Sequence, residues 1–197
     1  MRWILASASP RRRELLRQIE LPFEVFPSEA DETMDETLPD RLVEELSRRK
    51  ALAAAGRLRE HCLVLGADTV VALENAVLGK PGTEERAREM LRMLSGREHR
   101  VLTGVTLAEA AEGALLRQKT FFEETHVSLY ALTEEELEAY VRSGEPMDKA
   151  GAYGIQGKFA RFVRKIDGDY NNVVGLPVAR VYQEMKNMFG EEALRLC

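Results

Sequence analysis

Two cysteines and three histidines in 197 residues leave little material for a disulfide or metal scaffold. Cys62 lies inside the apolar run CLVLG and reads as a core thiol, and Cys197 closes the chain. A disulfide framework is excluded and a reducing compartment is favoured. His61, His99 and His126 lack metal-ligand spacing, which argues against zinc. None of them is an obvious base for Ser7 or Ser9, and no nucleophile-elbow pattern surrounds those serines. No apolar run approaches the roughly 20 residues needed to cross a bilayer. Arginines interrupt the N-terminal segment where a signal peptide needs its apolar core. The expectation is a cytoplasmic protein with no membrane partner. Basic excess is also lacking: Lys and Arg number 28 against 33 Asp and Glu, a formal charge of -5, which makes no case for direct nucleic-acid binding. There is no P-loop, and no GxGxxG follows a strand.

What is present is an ordinary globular composition, 45% hydrophobic and 31% charged, long enough for a sizeable core. ILASASPRRRELL opens with an apolar strand end and continues into a helix. Ser9 fits its N-cap, Pro10 its first position, and Leu15, Leu16 and Ile19 its apolar face. The spacing predicts strands over 2–6 and 23–27, an amphipathic helix over 39–58 and another over 83–94. CLVLGADTVVALENAVLGKP reads as two strands with turns at GAD and EN. HRVLTGVTLAEA and TFFEETHVSLYAL read as further strands around Gly113. In TEEELEAYV, Thr133 and Glu136 form a capping box. A strand over 160–166 and a last helix carrying Val178, Val181, Tyr182 and Met185 complete an α/β pattern over 1–197 as one domain, with any second lobe a sheet extension around 98–130.

Four stretches could carry chemistry. Arg11, Arg12 and Arg13 beside unpaired helix N–H groups suit a phosphate, or else simply solubilise the helix. Asp68 and Thr69 in GADT suit metal or water handling, or else a turn. Lys80 in GKP can reach phosphate or remain in water. GEPMDKAGAYGIQGKFA alternates Gly151, Gly154 and Gly157 with Asp148, Lys149, Tyr153 and Gln156, a segment able to approach a ligand through its backbone. The carboxylates Glu29, Asp31, Glu32, Asp68 and Asp148, grouped with Arg11, Arg12, Lys50 and Lys80, fit a magnesium–phosphate site better than a general hydrolase pocket.

In order and spacing, LASASPRRRELL, RRKA, VLGADTVV, LGKP, MLSGREHRVLTGV, EPMDKAGAYGIQG and IDGDYNNVVGLPV closely resemble the Maf nucleotide pyrophosphatases, in particular the branch acting on dTTP and UTP. The resemblance covers nearly the full length. It implies an elongated, two-lobed α/β fold with a mixed β-sheet and a deep central cleft, related to the inosine-triphosphate pyrophosphatases. It implies hydrolysis of a nucleoside triphosphate between the α- and β-phosphates, with Mg²⁺ or Mn²⁺, a role in limiting incorporation of aberrant nucleotides, and a homodimer. By that likeness Asp68 is the catalytic carboxylate and contributes to the metal environment with Glu32. Ser7, Arg11, Arg12, Lys50 and Lys80 then engage phosphates, and Thr69 and Gln156, with Arg12, bear on the choice of base. AGAYGIQG separates the chain from the 7-methyl-GTP branch, whose loop ends in Glu-Gly. A glutamine amide matches the donor and acceptor edge of uracil or thymine. The alternative carried alongside is a nucleotide-binding regulator of cell division or septum formation without significant catalysis.

Overall fold

The computed structural model describes residues 2–33, 36, 38–74 and 76–190. Seven strands form one sheet: β1 (Arg2–Leu5), β2 (Glu24–Val25), β3 (Cys62–Leu73), β4 (Ala76–Leu78), β5 (Glu98–Ala111), β6 (Ala114–Leu129) and β7 (Val163–Asp167). Their order is β2-β1-β3-β5-β6-β7, with β4 paired to β3. β2, β1 and β3 run parallel, whereas β5, β6 and β7 continue antiparallel. The helices are α1 (Pro10–Gln18), α2 (Pro39–Ala55), α3 (Glu84–Leu94), α4 (Glu134–Val141), α5 (Tyr170–Val174) and α6 (Val178–Phe189).

The period of two along β3 sorts its side chains by parity. Leu63, Leu65, Ala67, Val71 and Leu73 join the main core with Leu15 and Leu16 of α1, Leu91 and Leu94 of α3, and Val181 and Met185 of α6. Cys62 and Val64, and further on Val70 and Ala72, face the opposite way toward α2. Two glycines on that second face let α2 lie against the sheet backbone. A Cβ on Gly66 would lie 2.6 Å from the Ala51 nitrogen, and one on Gly104 2.8 Å from that of Glu44. Asp68 is paired with Gly104 across the ladder and shares this face.

Several local expectations are corrected. β3 runs unbroken through Gly66-Ala67-Asp68, so no turn exists at GAD. Its glycine answers the approach of α2, which no local pattern reveals. Of the turn expected at EN, Glu74 does lie in a turn, at a φ of 55°, and Asn75 lies outside the described residues. The pairing expected over 23–27 shrinks to two residues, and α2 ends at Ala55. Residues 158–162 form a tight 3₁₀ segment before β7. Ser9 occupies the N-cap of α1 without a side-chain cap bond; its N–H instead donates to Ser7 Oγ at 3.2 Å. Tyr182 of α6 is exposed, while Val178, Val181 and Met185 are buried. The capping box of α4 is present as expected.

Candidate active site

β1 pairs with β3 only as far as Leu65, and β4 takes up the same edge from Val71. Between them, Gly66–Val70 has no ladder neighbour on that edge among the described residues. This gap opens at the carboxyl end of a parallel strand, where open α/β sheets offer their binding crevice. The loop from β1 into α1 lies beside it, with Ala6 N–H donating to Leu65 O at 2.8 Å.

Alternation sends Asp68 and Thr69 to opposite faces. On the α2 face, Lys50 Nζ donates to Asp68 Oδ1 at 2.6 Å and lies 2.9 Å from Glu32 Oε1. The Asp68 and Lys50 side chains are 15% and 13% exposed, so the pair is shielded and still reachable. On the other face Thr69 Oγ1 accepts from Arg12 Nη2 at 3.0 Å and lies 2.9 Å from Thr103 Oγ1.

Arg12 is the centre of this second cluster. Its Nε donates to Gly175 O at 2.8 Å, and its Nη1 to Ala67 O at 2.7 Å and Ser7 Oγ at 3.2 Å. With Thr69, that engages four of the five guanidinium N–H donors. Burial lowers the Arg12 pKa, opposed by the nearby Asp68 charge. Three chain segments distant in sequence are therefore gathered on one cation. Arg11 reaches elsewhere: its Nη1 donates to Asp148 Oδ2 at 3.1 Å, and Lys149 Nζ donates to Asp148 Oδ1 at 2.6 Å. Burial works against the Asp148 charge, but these two hydrogen bonds outweigh it and hold its carboxyl below the usual range.

The residues singled out in the sequence thus fall into four sets, one of them the Arg11–Asp148 pair. Asp68, Lys50 and Glu32 meet directly, and so do Arg12, Ser7 and Thr69. Lys80 and Gln156 are exposed and make no side-chain hydrogen bond or ion pair among the described residues. Their loops are nonetheless tied to the rest: Gly151 N–H donates to Gly79 O at 3.1 Å, joining the GKP loop to the glycine-rich segment.

Thr103 and Asn172 escaped the sequence reading. Thr103 Oγ1 donates to Asn172 O at 3.1 Å, and Asn172 Nδ2 donates to Val101 O and Thr125 Oγ1, which seats α5 and hence Gly175. The available signal was parity, since Thr103 sits between Val101 and Val105 on the core face of β5.

Among the described residues no group of three or more His, Cys, Asp or Glu is gathered. Asp68 and Glu32 do converge on one ammonium, a position bounded by two carboxylates and occupied by positive charge. That donor set fits a hard cation such as Mg²⁺, which takes one or two carboxylates and completes its shell with water and phosphate oxygens. No helix among the described residues is long and apolar enough to cross a membrane.

Comparison with known proteins gives the family and the fold. The chain is 53% identical to a protein of Agathobacter rectalis named dTTP/UTP pyrophosphatase, over 94% of this chain and 96% of the other. It is 54% identical to a protein of that name from Carboxydothermus hydrogenoformans, over 94% and 98%. A third, from Lachnoclostridium phytofermentans, is 47% identical over 98% and 97%. Among solved structures, the Ham1 protein of Staphylococcus aureus superposes with a TM-score of 0.52 at 15% identity, covering 94% of this chain and all of the other. A HAM1 protein of Coxiella burnetii gives 0.54 at 16% identity, over 93% and 99%. These two share the fold, a mixed sheet with flanking helices. The model of the Maf-like proteins matches residues 2–188, and the chain belongs to the Maf family.

Proposed function

We propose that this chain hydrolyses dTTP and UTP between the α- and β-phosphates, releasing nucleoside monophosphate and pyrophosphate. The observation that carries the reading is the Lys50–Asp68 contact of 2.6 Å beside the open edge of β3. It puts a carboxylate and a cation together where a triphosphate can lie. Relatives about half identical over nearly the whole chain bear the corresponding name, which supports the same assignment.

In this reading Asp68 accepts the proton of the water that attacks the α-phosphorus. Arg11, Lys50 and Lys80 hold phosphoryl oxygens and stabilise the charge that develops on them. Arg12 offers its one remaining N–H while fixing Ser7 and Thr69 at the floor of the site. Gln156, on an exposed turn, reads the base through its paired donor and acceptor. Asp68 and Glu32 would hold Mg²⁺ or Mn²⁺, which neutralises part of the triphosphate charge. The reading also carries a homodimer, tested by light scattering: twice the chain mass supports it and a monomer mass overturns it.

The decisive experiment is chromatography of products from UTP and dTTP with Mg²⁺ or Mn²⁺. Monophosphate plus pyrophosphate is expected. Diphosphate plus orthophosphate would mean attack at the γ-phosphate. No turnover across a nucleotide panel would favour the nucleotide-binding regulator.

A further inference from the structure

Gln156 sits on a four-residue turn, Gly154–Gly157, closed by the Gly157 N–H donating to Gly154 O at 3.2 Å. Its immediate neighbours in the core, Tyr153, Ile155 and Phe159, are buried and set how deep the segment lies. Apolar contact is non-directional, so burial alone leaves the turn free to roll about its own axis. Hydrogen bonds are directional, and two of them bracket this turn. On the entering side, Gly154 N–H donates to Tyr140 Oη at 3.2 Å, and the Tyr140 hydroxyl donates to Glu145 Oε1 at 3.0 Å. On the leaving side, Lys158 N–H donates to Glu145 Oε2 at 3.1 Å. One carboxylate thus holds both ends, one oxygen for each.

The surroundings hold that carboxylate in turn. Lys149 Nζ donates to the Glu145 carbonyl at 2.7 Å, and the Lys149 stem crosses Gly154 so closely that a Cβ there would lie 2.6 Å from its Cε. A Cβ on Gly157 would collide with the Glu145 carboxylate itself. The same lysine reaches Asp148, which accepts from Arg11 of α1. Burial raises the Tyr140 pKa well above the ordinary phenol value, and the Glu145 charge adds to this, so the hydroxyl stays protonated and available to donate.

We infer that Glu145 is the positioning residue of the base-reading turn: acting through Lys158 N–H and the Tyr140 hydroxyl, it fixes the roll of Gly154–Gly157 and so the direction in which Gln156 meets the base. The inference rests on Gln156 reading the base, as proposed above. Glu145 touches no substrate in this role.

The test is kcat/KM for UTP and for GTP, with Mg²⁺, in wild type and in E145A, Y140F, Q156A and the double variant E145A/Q156A. Hydrogen bonds to a charged group are each strong enough that losing the bracket should lower the UTP-over-GTP preference by roughly 10-fold. The expected pattern is a loss of preference in E145A and Y140F with GTP turnover changed far less than UTP turnover. The double variant should show no less preference than Q156A alone, because the two residues act through one contact. E145Q keeps one acceptor oxygen for Lys158 N–H and should recover part of the preference. Equal loss on both nucleotides in E145A and Y140F would reduce Glu145 to a structural prop and overturn the inference. Should E145A not fold, Y140F carries the test, since it keeps the ring packed on Phe159 and deletes only the hydroxyl. Loss of preference in Q156A with E145A and Y140F unaffected refutes the positioning role alone. A wild type indifferent to the base, or a Q156A variant with unchanged preference, refutes the reading of Gln156 and the inference with it.

Discussion

Truncating Arg12 should do more damage to the folded protein than the loss of a phosphate ligand would suggest. Arg12→Ala strips hydrogen bonds from Gly175 O, Ala67 O, Ser7 Oγ and Thr69 Oγ1. The two hydroxyls have other partners, Ser9 N–H for Ser7 and Thr103 for Thr69, and lose little. The two carbonyls belong to buried residues: Ala67 O is left unpaired and Gly175 O keeps only the long contact of 3.5 Å from Thr69 Oγ1, at roughly 1–3 kcal/mol each. Removing a guanidinium whose charge is disfavoured by burial returns some of that, which brings the expected loss to about 2–4 kcal/mol. For a chain of this length each kcal/mol lowers Tm by roughly 2–4 °C, so a drop of roughly 5–15 °C is expected. Thermal unfolding followed by circular dichroism, with urea midpoints as a second measure, reads it. Arg12→Lys should recover little, because an ammonium lacks the planar fork that reaches four acceptors at once. On the proposed reading the damage lies beneath the phosphates and not at the base contact, so turnover should fall evenly for all triphosphates. A variant melting within about a degree of wild type would refute the clamp.

Three further outcomes follow from the geometry. D68N keeps an oxygen to accept from Lys50 and lies within a continuous strand, so it should fold and lose turnover by at least roughly 10²-fold; near-normal turnover in the folded variant would remove Asp68 from the chemistry. His99 is buried against Tyr153, with its Nε2 2.7 Å from the hydroxyl, and burial pushes its pKa down to about 4 against a weaker opposing effect of Glu98. A depressed folded-state pKa means that the unfolded chain binds the extra proton first, so stability is intact above about 6.5. It is lost progressively as pH falls toward 4, by about 3 kcal/mol. Urea midpoints at pH 7 and 4.5 should converge in H99Q relative to wild type, and an identical acid loss in both would sink the assignment. Gly104→Ala drives a Cβ into the backbone of Val43 and Glu44, so α2 must lift from the sheet. A loss of roughly 1–3 kcal/mol or more is expected, together with reduced turnover as Lys50 draws away from Asp68; wild-type stability by denaturant titration would show that the close seating of α2 is not required.

Much of the local structure was legible. Pro10 opens α1, the apolar face Ala87, Met90, Leu91 and Leu94 is the buried face of α3, and Thr133 with Glu136 closes the capping box of α4. These follow from interactions spanning a few residues, where propensity and capping act without help from the rest of the chain. The GAD segment shows where that logic stops. Gly-Ala-Asp reads locally as a turn, yet Gly66 lies where α2 touches the sheet, and Asp68 where Lys50 meets it. A glycine leaves the same mark in a sequence whether it serves φ or close approach.

The sequence alone determined which residue types could take part, which elements carry them and, once β3 is a strand, that Asp68 and Thr69 must face opposite ways. Only the tertiary structure decided who meets whom. Lys50 finds Asp68 across 18 positions, Arg11 finds Asp148 across 137, and Arg12 finds Gly175 across 163. Loop-closure entropy grows only slowly with such separations, so chain distance hardly discriminates among candidate partners. The choice comes from the packing of α1, α2 and α5 on the sheet, which leaves one face for a carboxylate and its lysine and gives the other to a buried arginine.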